Sequence, residues 1–363
     1  MKILVLSNFG MGLYKFRKEL LEELIAQKHE VIVSLPNDEF VPKLQELGCK
    51  CIQTPIDRRG TNPVSDLKLL LLYIKIIRRV KPEIVLTYTI KPNVYGGIAC
   101  RITQKPYITN VTGLGTSIES KGIIKNLALT LYKISLKNSK CVFFQNDPNR
   151  QFFVQNDIVQ GKTRLIPGSG VNLKQYDMEE YPSPDKMIRF LYLGRIMKAK
   201  GIDELLEAAK IVKEKYSDVQ FDFVGFSEEN YSCILNEYVT EGIINYYGQQ
   251  NNVHYFLKNS HATILPSYHE GTSNVLLESA ATGRPVLASE VPGCIETFDD
   301  GISGIGFEVK NVKSLVDAII TFIKLPYDQK RQMGIAGRKK IEQEYDRRLV
   351  VAAYLEEINN LRG

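Results

Sequence analysis

Short apolar runs alternate with amphipathic stretches along most of this 363-residue chain. The runs of the first half have the composition of β-strands: KILVLS (2–7), EVIVSL (30–35), CIQTP (51–55), EIVLTY (83–88), YITNV (107–111) and CVFFQN (141–146). Sequences with a helical spacing of apolar residues lie between them, among them LYKFRKELLEELIAQ and DLKLLLLYIKIIRRV. Because strands that are separated by helices join through crossover connections, the pattern predicts a parallel sheet covered by helices.

The same pattern starts again in the second half, after the turn-rich segment IPGSGVN. The strands predicted there are MIRFLYLG (187–194), VQFDFVG (219–225), INYYG (244–248), ATILP (262–266) and PVLAS (285–289). We therefore predict an α/β protein with two Rossmann-like parallel-sheet domains, residues 1–169 and 170–345, facing an interdomain cleft where ligands of such sheets bind. A last helix within residues 346–363 is compatible with packing on either domain.

Length and composition narrow the classes of protein that fit. A chain of this length with 44% hydrophobic and 24% charged residues is typical of a globular protein with two cores. The apolar run at the N-terminus is too short for a signal peptide, which favours a cytoplasmic location. The six cysteines are scattered and expected to be reduced, and Cys49-x-Cys51 lacks a second pair, so we predict no metal site.

The net charge of +6 is unevenly distributed. Residues 1–169 carry 25 Lys and Arg against 13 Asp and Glu, whereas residues 170–363 carry 22 against 28. An excess of this size in the first half favours an anionic partner for it. A basic surface that is solvated and has no partner is the alternative.

Two basic residues follow a predicted strand in YLGRIMKAKG (192–201). Arg195 and Lys200 lie between the carboxyl end of that strand and a predicted helix, next to Gly194 and Gly201. Helix N-termini attract anions, and ligands of parallel sheets bind at the carboxyl ends of the strands. The two cations therefore favour a diphosphate site, against the alternative of solvated surface residues.

The stretch HEGTSNVLLES (269–279) places two glutamates eight positions apart, around a turn and the start of a helix. Glu278 falls among aliphatic residues, where an ionised carboxylate is costly unless the helix has a solvated side or binds a ligand. If the cap of the helix is at about Asn274, Glu278 lies four residues beyond it, about 6 Å along the axis. Glu270 precedes the turn.

A ligand lying over this turn would meet a carboxylate at each end, with cations and free helix amides at its middle. Carboxylates accept hydrogen bonds from hydroxyl groups, so both ends of the ligand are expected to be rich in hydroxyls. Two polyol groups joined by a diphosphate are the parts of a nucleotide sugar. We therefore predict a nucleotide-sugar substrate.

The sequence resembles the family of retaining glycosyltransferases with the two-domain GT-B fold (family 4 type), whose signature is a Glu-x7-Glu pair of the form EGTSNVLLE. GRIMKAKG, the GSGVN hinge and GRPVLASEVPGCIE are similar to that family as well, and the similarity covers essentially the whole chain. The resemblance implies transfer of a hexose or N-acetylhexosamine, with UDP as the favoured donor nucleotide. It implies no cofactor and no metal, because side-chain cations take the metal's place and no Asp-x-Asp motif is present.

The resemblance also implies roles for individual residues. Glu278 would hold the ribose hydroxyls and Glu270 those of the donor sugar, so that Glu270 joins the catalytic set. Arg195 and Lys200 would complete that set by stabilising the departing diphosphate. The remaining nucleotide-sugar-binding residues would be two glycines of a first loop that approaches the phosphates, a glycine after a strand, and the turn with its amides: Gly10, Gly12, Gly194, Gly271, Thr272, Ser273, Asn274 and Val275.

Within this family, the first half is similar to members that extend lipid-linked oligosaccharides for capsule, O-antigen or protein glycosylation. The similar stretches are SNFGMGLYKFR, TYTIKPNVYGG, NVTGLG and VFFQNDPNR. They imply an undecaprenyl-diphosphate-type glycolipid acceptor, with Arg17 and Lys91 as contacts. Thr112 stands where many relatives have a histidine, and because a hydroxyl cannot act as a base in place of imidazole, we assign no general base.

A basic amphipathic segment, GIIKNLALTLYKISLKNSK, suggests contact with a membrane. Its lysines, with a neighbouring one, are at positions 121, 125, 133, 137 and 140, and its apolar stripe passes through Ile124, Leu127, Leu131 and Ile134. Such a helix, or the segment LLLLYIKIIRRVK, is suited to an anionic bilayer surface, although a core-facing helix with a solvated face has the same pattern. Neither apolar run reaches the ~18 residues needed to span a bilayer. We predict peripheral contact with the inner face of the cytoplasmic membrane.

Three other functions are weighed against the glycosyltransferase. A dehydrogenase would explain Gly10-x-Gly12 between a strand and a helix, but the third glycine is missing and the second strand ends in Leu35-Pro36, without an acid for a ribose. A nucleotide-sugar epimerase has the same two-domain build and is the stronger alternative enzyme. A nucleic-acid-binding protein would explain the basic half but not the glutamate pair, so we expect no nucleic-acid partner.

Overall fold

The computed structural model describes residues 1–57, 60, 62–113, 123–184 and 187–361. The chain forms two compact units, Met1–Ser169 with Arg347–Gly363, and Gly170–Asp346. Each unit is built on one parallel sheet with helices in the connections, which confirms the predicted fold class. No helix among the described residues is both long and apolar enough to cross a bilayer.

The sheet of the first unit has seven strands in the order β3-β2-β1-β4-β5-β6-β7. The strands are β1 Lys2–Leu6, β2 Glu30–Leu35, β3 Lys50–Gln53, β4 Ile84–Tyr88, β5 Tyr107–Val111, β6 Cys141–Phe144 and β7 Thr163–Leu165. The helices are α1 Gly10–Ala26, α2 Val41–Glu46, α3 Pro63–Val80, α4 Gly97–Ile102 after a π-helical turn Pro92–Gly96, α5 Ile123–Leu136 and α6 Asp147–Gln155. Because helices cover both faces, central strands such as β4 are buried along their whole length.

The sheet of the second unit has six strands in the order β10-β9-β8-β11-β12-β13. The strands are β8 Ile188–Leu193, β9 Val219–Val224, β10 Ile244–Tyr246, β11 Ala262–Leu265, β12 Val286–Ser289 and β13 Gly304–Phe307. The helices are α7 Ile202–Lys215, α8 Ser232–Thr240, α9 Val253–Asn259, α10 Asn274–Ala281, α11 Val312–Lys324 and α12 Tyr327–Glu344. The order reverses between β8 and β11, where parallel sheets of this type bind ligands.

The last helix, α13 (Arg347–Asn359), packs in the first unit. The ring of Tyr354 lies 4.5 Å from that of Phe143, centroid to centroid, and its hydroxyl accepts a hydrogen bond of 2.6 Å from Asn110. Arg347 at the start of the helix forms an ion pair of 2.9 Å with Glu19. The chain therefore returns to its first sheet through α13.

Each predicted strand is present, but two strands of the structure were not predicted. Both are edge strands, β7 and β13. The first has only three residues, and its side chains are partly or fully exposed. The second reads Gly-Ile-Gly-Phe. Edge strands need not be apolar on both faces, so neither has the sequence signal of a buried strand.

Candidate functional site

The predicted donor-site residues of the second unit follow two paired strands. β8 and β11 are parallel neighbours, so their carboxyl ends lie at the same edge of the sheet. Arg195 and Lys200 follow β8, and Glu270 follows β11. The topology therefore brings the two stretches of sequence to one edge, at the reversal of strand order.

A glycine allows the loops after β8 and β11 to touch. Gly201 has a φ of +70°, and a Cβ atom there would lie 2.1 Å from the carbonyl oxygen of Pro266. Beside it, the amide of Tyr268 donates a hydrogen bond of 3.0 Å to the carbonyl of Ala199. Only glycine combines this backbone conformation with so close an approach. The contact fixes Lys200, which precedes Gly201, against the residues that follow β11.

Lys200 and Glu270 form an ion pair in the structure. Their side chains are 16% and 18% exposed, and the ammonium also lies 3.4 Å from the hydroxyl of Ser267. The sequence had no signal for Ser267, because it lies outside the glutamate motif. A largely buried ammonium with one carboxylate partner can also bind an anionic oxygen, so the pair provides a charged end for a phosphate ligand.

Arg195 has a different partner. Its guanidinium forms an ion pair of 2.8 Å with Glu228, a residue of the loop after β9 for which the sequence predicted no role. This loop lies close because a Cβ atom at Gly225 would lie 1.7 Å from the carbonyl oxygen of Gly194. The two predicted catalytic cations are thus held by separate carboxylates, Glu228 and Glu270.

The turn before α10 departs from the prediction at two points. Ser273, not Asn274, is the N-cap, and its hydroxyl accepts from the amide of Leu276 at 3.4 Å. Glu278 is therefore five residues beyond the cap. The amide of Ser273 was expected to face a diphosphate, but it donates a hydrogen bond of 2.8 Å to the carbonyl of Gly293. This amide is therefore already hydrogen-bonded to the loop after β12.

Helix α10 has one partly exposed face. Asn274, Val275 and Glu278 are intermediate in exposure, whereas the residues that pack on the core are buried: Leu276, Leu277, Ala280 and Ala281. The spacing of the first three puts them on one side of the helix. On that side the side-chain oxygen of Asn274 is buried and has no hydrogen-bond partner. Since an unsatisfied buried acceptor is costly, this oxygen is suited to accept a hydrogen bond from a ligand.

The remaining turn residues lie between the two glutamates. Gly271 is partly exposed, and Thr272 is buried, with its hydroxyl donating to the carbonyl of Gly271 at 3.0 Å. A Cβ atom at Gly293, whose φ is +84°, would lie 2.5 Å from the carbonyl oxygen of Glu270. The sequence motif EVPGCIE contains this glycine, but the pattern alone did not reveal that it supports the glutamate turn.

Gly10 and Gly12 were expected to lie in a loop of the first unit, but the structure places them in a helix. Gly10 and Gly12 lie in the first turn of α1, which begins at Gly10. The amide of Gly10 donates a hydrogen bond of 2.7 Å to the carboxylate of Asp38, which also accepts from the amide of Phe40 at 3.0 Å. The positive end of the helix is therefore matched by a carboxylate of the chain itself, and a phosphate there would meet a like charge. Close approach of a phosphate at Gly10 and Gly12 stays a prediction.

The two predicted acceptor contacts differ in their partners. Lys91 forms an ion pair of 2.7 Å with Asp66 of α3, and Tyr95 donates to the same carboxylate at 2.8 Å. Arg17 is buried, with its guanidinium carbon 5.3 Å from the ring centre of Tyr88. Its Nε has no hydrogen-bond partner, its Nη1 donates to the carbonyl of Phe16 at 2.7 Å, and within the described residues no carboxylate pairs with it. Of the two, Arg17 carries the less compensated charge.

The chemistry available at the edge of the second sheet is that of side-chain cations held by carboxylates. Lys200 and Arg195 supply fixed positive charge, and Glu270 and Glu278 supply acceptors for hydroxyl groups. In the part of the chain that the structure describes, no three His, Cys, Asp or Glu side chains form a group suited to a metal ion. The arrangement can bind a diphosphate and stabilise it as a leaving group.

Two family models match the chain. Residues 2–146 match the model described as "Glycosyl transferase 4-like", and residues 174–340 match "Glycosyl transferases group 1". The second match includes both predicted catalytic cations and both glutamates. Together the two matches extend over most of the chain.

Named relatives and solved structures agree with these matches. The chain is 29% identical over 373 residues to the N,N'-diacetylbacillosaminyl-diphospho-undecaprenol alpha-1,3-N-acetylgalactosaminyltransferase of Campylobacter jejuni, with 98% of this chain and 97% of that protein covered. It is 25% identical to the UDP-Gal:alpha-D-GlcNAc-diphosphoundecaprenol alpha-1,3-galactosyltransferase of Escherichia coli, with coverages of 79% and 81%. The crystal structure of Anabaena HepE in complex with UDP and glucose has the same fold, with a TM-score of 0.80, 17% identity and coverages of 99% and 100%. The chain therefore belongs to the GT-B glycosyltransferases, with a 4-like domain in its N-terminal part and a group 1 domain in its C-terminal part.

Proposed function

We propose that this glycosyltransferase moves a hexose or N-acetylhexosamine from a UDP-sugar to a saccharide linked to undecaprenyl diphosphate, with retention of configuration at the transferred carbon. The two relatives described above are both named for acceptors of this class. UDP is the favoured nucleotide because one relative is named for UDP-Gal and the HepE structure contains UDP. The domain matches favour transfer to an acceptor over the alternative of an epimerase.

The observation that carries the proposal is the pair of Lys200 and Glu270 at the carboxyl ends of β8 and β11. A diphosphate that reaches this edge would form an ion pair with the ammonium of Lys200. The carboxylate of Glu270 could then accept hydrogen bonds from the hydroxyl groups of the donor sugar. Glu278, on the partly exposed face of α10, would bind the ribose. Stabilisation of the leaving diphosphate by Lys200 and Arg195 is then the main catalytic contribution.

A thermal-shift panel of UDP-, GDP- and ADP-sugars in EDTA tests the donor assignment. Because a ligand that binds the native state raises its melting temperature, we expect one UDP-sugar to stabilise the protein without any metal. Glu278→Ala should abolish the shift, whereas Glu207→Ala, an exposed glutamate of α7, should keep it. A Glu278→Ala protein that binds the donor as well as the parent would remove the ribose role. The anomeric coupling constant of the product, measured by NMR, tests retention.

Arg17 supports the acceptor half of the proposal. A buried guanidinium that has no carboxylate partner among the described residues favours an anionic ligand, because burial of an uncompensated charge is costly. A diphosphate on the acceptor lipid would supply that charge. We propose Arg17 as the principal contact and Lys91, which is already paired with Asp66, as a secondary one.

A comparison of two acceptors tests this contact. We expect Arg17→Gln to raise KM for a sugar linked to a short prenyl diphosphate, and to leave KM unchanged for the benzyl glycoside of the same sugar, which has no phosphate. An equal effect on both acceptors would mean that Arg17 does not bind the diphosphate. The donor-induced thermal shift serves as the control for folding. Lys91→Ala activity equal to that of the parent would exclude Lys91 as a contact.

Two helices of the first unit support a peripheral membrane location. Along α3, Val64, Leu67 and Leu71 are exposed on one stripe, which continues with three exposed cations: Lys68, Lys75 and Arg78. On α5, Leu127 and Ile134 are exposed near lysines. Lys121 and the side chain of Ile124, which belong to the predicted stripe, lie outside the described residues. Exposed apolar side chains beside a basic surface suit an anionic bilayer.

Flotation with vesicles that contain anionic lipid tests the membrane proposal. We expect the parent protein to float with these vesicles and not with neutral ones, and the double variant Leu67→Ser with Leu71→Ser to float less. Ile302→Ser, which changes an equally exposed side chain of the second unit, should float like the parent. Failure of the parent to bind anionic vesicles would end the membrane proposal without affecting the donor assignment.

A further inference from the structure

One face of the second sheet is polar where a buried parallel sheet is expected to be apolar. Strands β8, β9 and β10 lie at one edge of this sheet. Four polar side chains share one face there: Arg189, Gln220, Asp222 and Asn245. Leu191 and Val224 lie on the same face. Strand alternation places the core side chains, such as Phe221, on the opposite face. Arg189 and Gln220 lie near the amino-terminal ends of their strands, and Asp222 lies two residues further along, next to Asn245.

Asp222 is the centre of the polar group. It is 8% exposed, and its carboxylate accepts hydrogen bonds from Asn245 at 2.9 Å, Gln220 at 3.0 Å, Arg189 at 3.2 Å and the hydroxyl of Tyr247 at 3.3 Å. Burial raises the pKa of this carboxyl in spite of these donors. A charged carboxylate at this buried position lowers the stability of the protein. An apolar residue would avoid this cost if the position served only to pack the sheet.

A cavity of about 1100 Å³ opens above this polar floor. Its lining includes four aromatic side chains, Tyr247, Tyr255, Phe256 and Tyr327, among prolines and polar residues. The rings of Tyr247 and Phe256 are 4.9 Å apart, and those of Tyr255 and Phe256 are 5.4 Å apart, both edge to face. Tyr255 is 58% exposed and Tyr247 is 39% exposed, so both present ring surface to a ligand.

A buried arginine holds the wall in place. Arg284 is fully buried, and its guanidinium donates to carbonyl oxygens at the end of α9, Leu257 at 3.1 Å and Lys258 at 2.9 Å. It donates as well to the backbone carbonyls of Glu179 at 3.1 Å and Glu180 at 2.6 Å. The last carbonyls of a helix have no partner within the helix, and a cation satisfies them well. The helix that carries Tyr255 and Phe256 is therefore fixed before any ligand arrives.

Both cations among the described residues that line the cavity are paired with carboxylates. Arg189 is neutralised by Asp222, and Lys258 forms an ion pair of 2.9 Å with Glu179. Burial lowers the pKa of His261, at the cavity wall, to about 4, so it is neutral near pH 7. A site built for phosphate would present uncompensated cations. Exposed rings beside paired polar groups suit a neutral ligand that has both an apolar face and hydroxyl groups.

We propose that this cavity is a second carbohydrate-binding site, which takes neutral sugar units of a glycan. The apolar face of a pyranose would lie on Tyr255 and Tyr247, and its hydroxyls would bind at the edge of the Arg189–Asp222 group. The cavity is separate from the donor site. Arg189 lies near the start of β8 and Arg195 follows its end, and a strand rises about 3.3 Å per residue, so the two sites are about 20 Å apart. Such a site would hold a chain of sugars to the enzyme without taking part in transfer.

The absence of tryptophan from the chain provides a direct test. Tyr255→Trp introduces a single tryptophan at the exposed ring of the cavity. The probes are the tetrasaccharides of N-acetylglucosamine and of glucose, with inorganic pyrophosphate as the anionic comparison. We expect a saturable change in tryptophan fluorescence with at least one tetrasaccharide and none with pyrophosphate. No saturable change with either tetrasaccharide, or a response to pyrophosphate, would overturn the proposal.

Calorimetric titration with the tetrasaccharide that binds then locates the site. We expect Tyr255→Ala to weaken binding about tenfold, or about 1.4 kcal/mol, and Tyr255→Phe, which keeps the ring, to bind like the parent. Ile302→Ala is the control for an exposed apolar side chain elsewhere in the unit. Glu278→Ala, which loses the donor under the proposed function, should keep the tetrasaccharide. Binding that Glu278→Ala removes and Tyr255→Ala retains would place the sugar in the donor site and overturn the proposal.

Discussion

Lys200 is placed by its neighbours rather than by any property of its own. Gly201 lets the loop after β8 approach the carbonyl of Pro266, and the ammonium then lies beside Glu270 and Ser267. Lys198, two residues earlier, has the same charge but its side chain is 71% exposed. The two lysines differ in environment and not in chemistry, so they form a matched pair for mutation.

We expect Lys200→Ala to lower kcat by about 100-fold or more, because it removes a fixed positive charge from the leaving diphosphate. Lys198→Ala should stay within about twofold of the parent, since an exposed lysine contributes little preorganised charge. Initial rates with a UDP-sugar and a diphosphate-linked acceptor measure both variants. Equal rates for the two variants would contradict the role of Lys200 in transfer.

His261 gives a prediction for pH dependence. It is 4% exposed, its Nδ1 accepts from the amide of Arg189 at 3.1 Å, and burial lowers its pKa from 6.5 to about 4. Between pH 4 and 6.5, His261 therefore binds a proton in the unfolded chain but not in the native state. The contribution of neutral His261 to the free energy of unfolding is complete above pH 6.5 and is lost as the pH falls towards 4. The contribution is about 3 kcal/mol.

His261→Asn keeps a hydrogen-bond acceptor near the same position but does not titrate. In urea unfolding between pH 4 and 7, we expect the free energy of unfolding of the parent to fall more steeply towards low pH than that of the variant. Parallel curves would show that His261 does not titrate as a buried neutral group.

At the residue scale, the sequence predicted residues that carry charge within a motif and missed their partners. Glu228, Ser267 and Asp38 contact predicted site residues, but each lies in another loop, about 30 to 70 positions away in the chain. Only the fold brings them together. The same reason applies at Gly10, where the carboxylate of Asp38 accepts a hydrogen bond from the first amide of α1.

At the scale of elements, the turn that carries the glutamates is shaped by a loop from the next strand. A Cβ atom at Gly293 would lie 2.5 Å from the carbonyl oxygen of Glu270 and 2.7 Å from that of Gly271. Gly301 has a similar positive φ of +71°, but a Cβ atom there would have no atom within 4 Å. Comparing substitutions at Gly293 and Gly301 therefore separates the effect of backbone strain from the effect of a clash with the turn.

We expect Gly293→Ala to reduce transfer by about 100-fold, because the added methyl displaces Glu270 from Lys200. Gly301→Ala should cost about 1 kcal/mol of stability from the backbone conformation alone and leave the rate unchanged. Kinetics and thermal melts on both variants check this. A Gly293→Ala enzyme as active as Gly301→Ala would mean that the turn tolerates displacement.

Elements were predictable where they are buried on both faces. Central strands such as β4 are predominantly apolar, and the order of strands and helices along the chain fixes parallel pairing. The N-cap of α10 was misplaced by one residue, because Ser273 and Asn274 are both good capping residues and only the backbone of the turn selects between them.

On the scale of the whole molecule, the last helix completes the first core. Tyr354 packs against Phe143 and binds Asn110, and Val350 and Ile358 join the same core cluster. The sequence left the location of this helix open, because an amphipathic helix at the end of a chain can cover either core.

Tyr354→Ala should lower the free energy of unfolding by about 3–5 kcal/mol, as expected for removal of a buried aromatic side chain. Leu349→Ala, at a position of the same helix that is 45% exposed, should change it by less than about 0.5 kcal/mol. Limited proteolysis should also show earlier cleavage in residues 1–169 than in residues 170–346 for Tyr354→Ala. Equal loss of both segments would argue against a helix that belongs to the first core.

The return of α13 to the first sheet has a consequence for synthesis of the protein. A ribosome makes residues 1–169 before α13, so their core lacks Tyr354 and Ile358 until α13 has left the exit tunnel. The second unit is a continuous segment of the chain, so its core does not depend on residues that are made after it. The half of the enzyme that is translated first is therefore the half that matures last, and until then its unfilled apolar surface is open to chaperones.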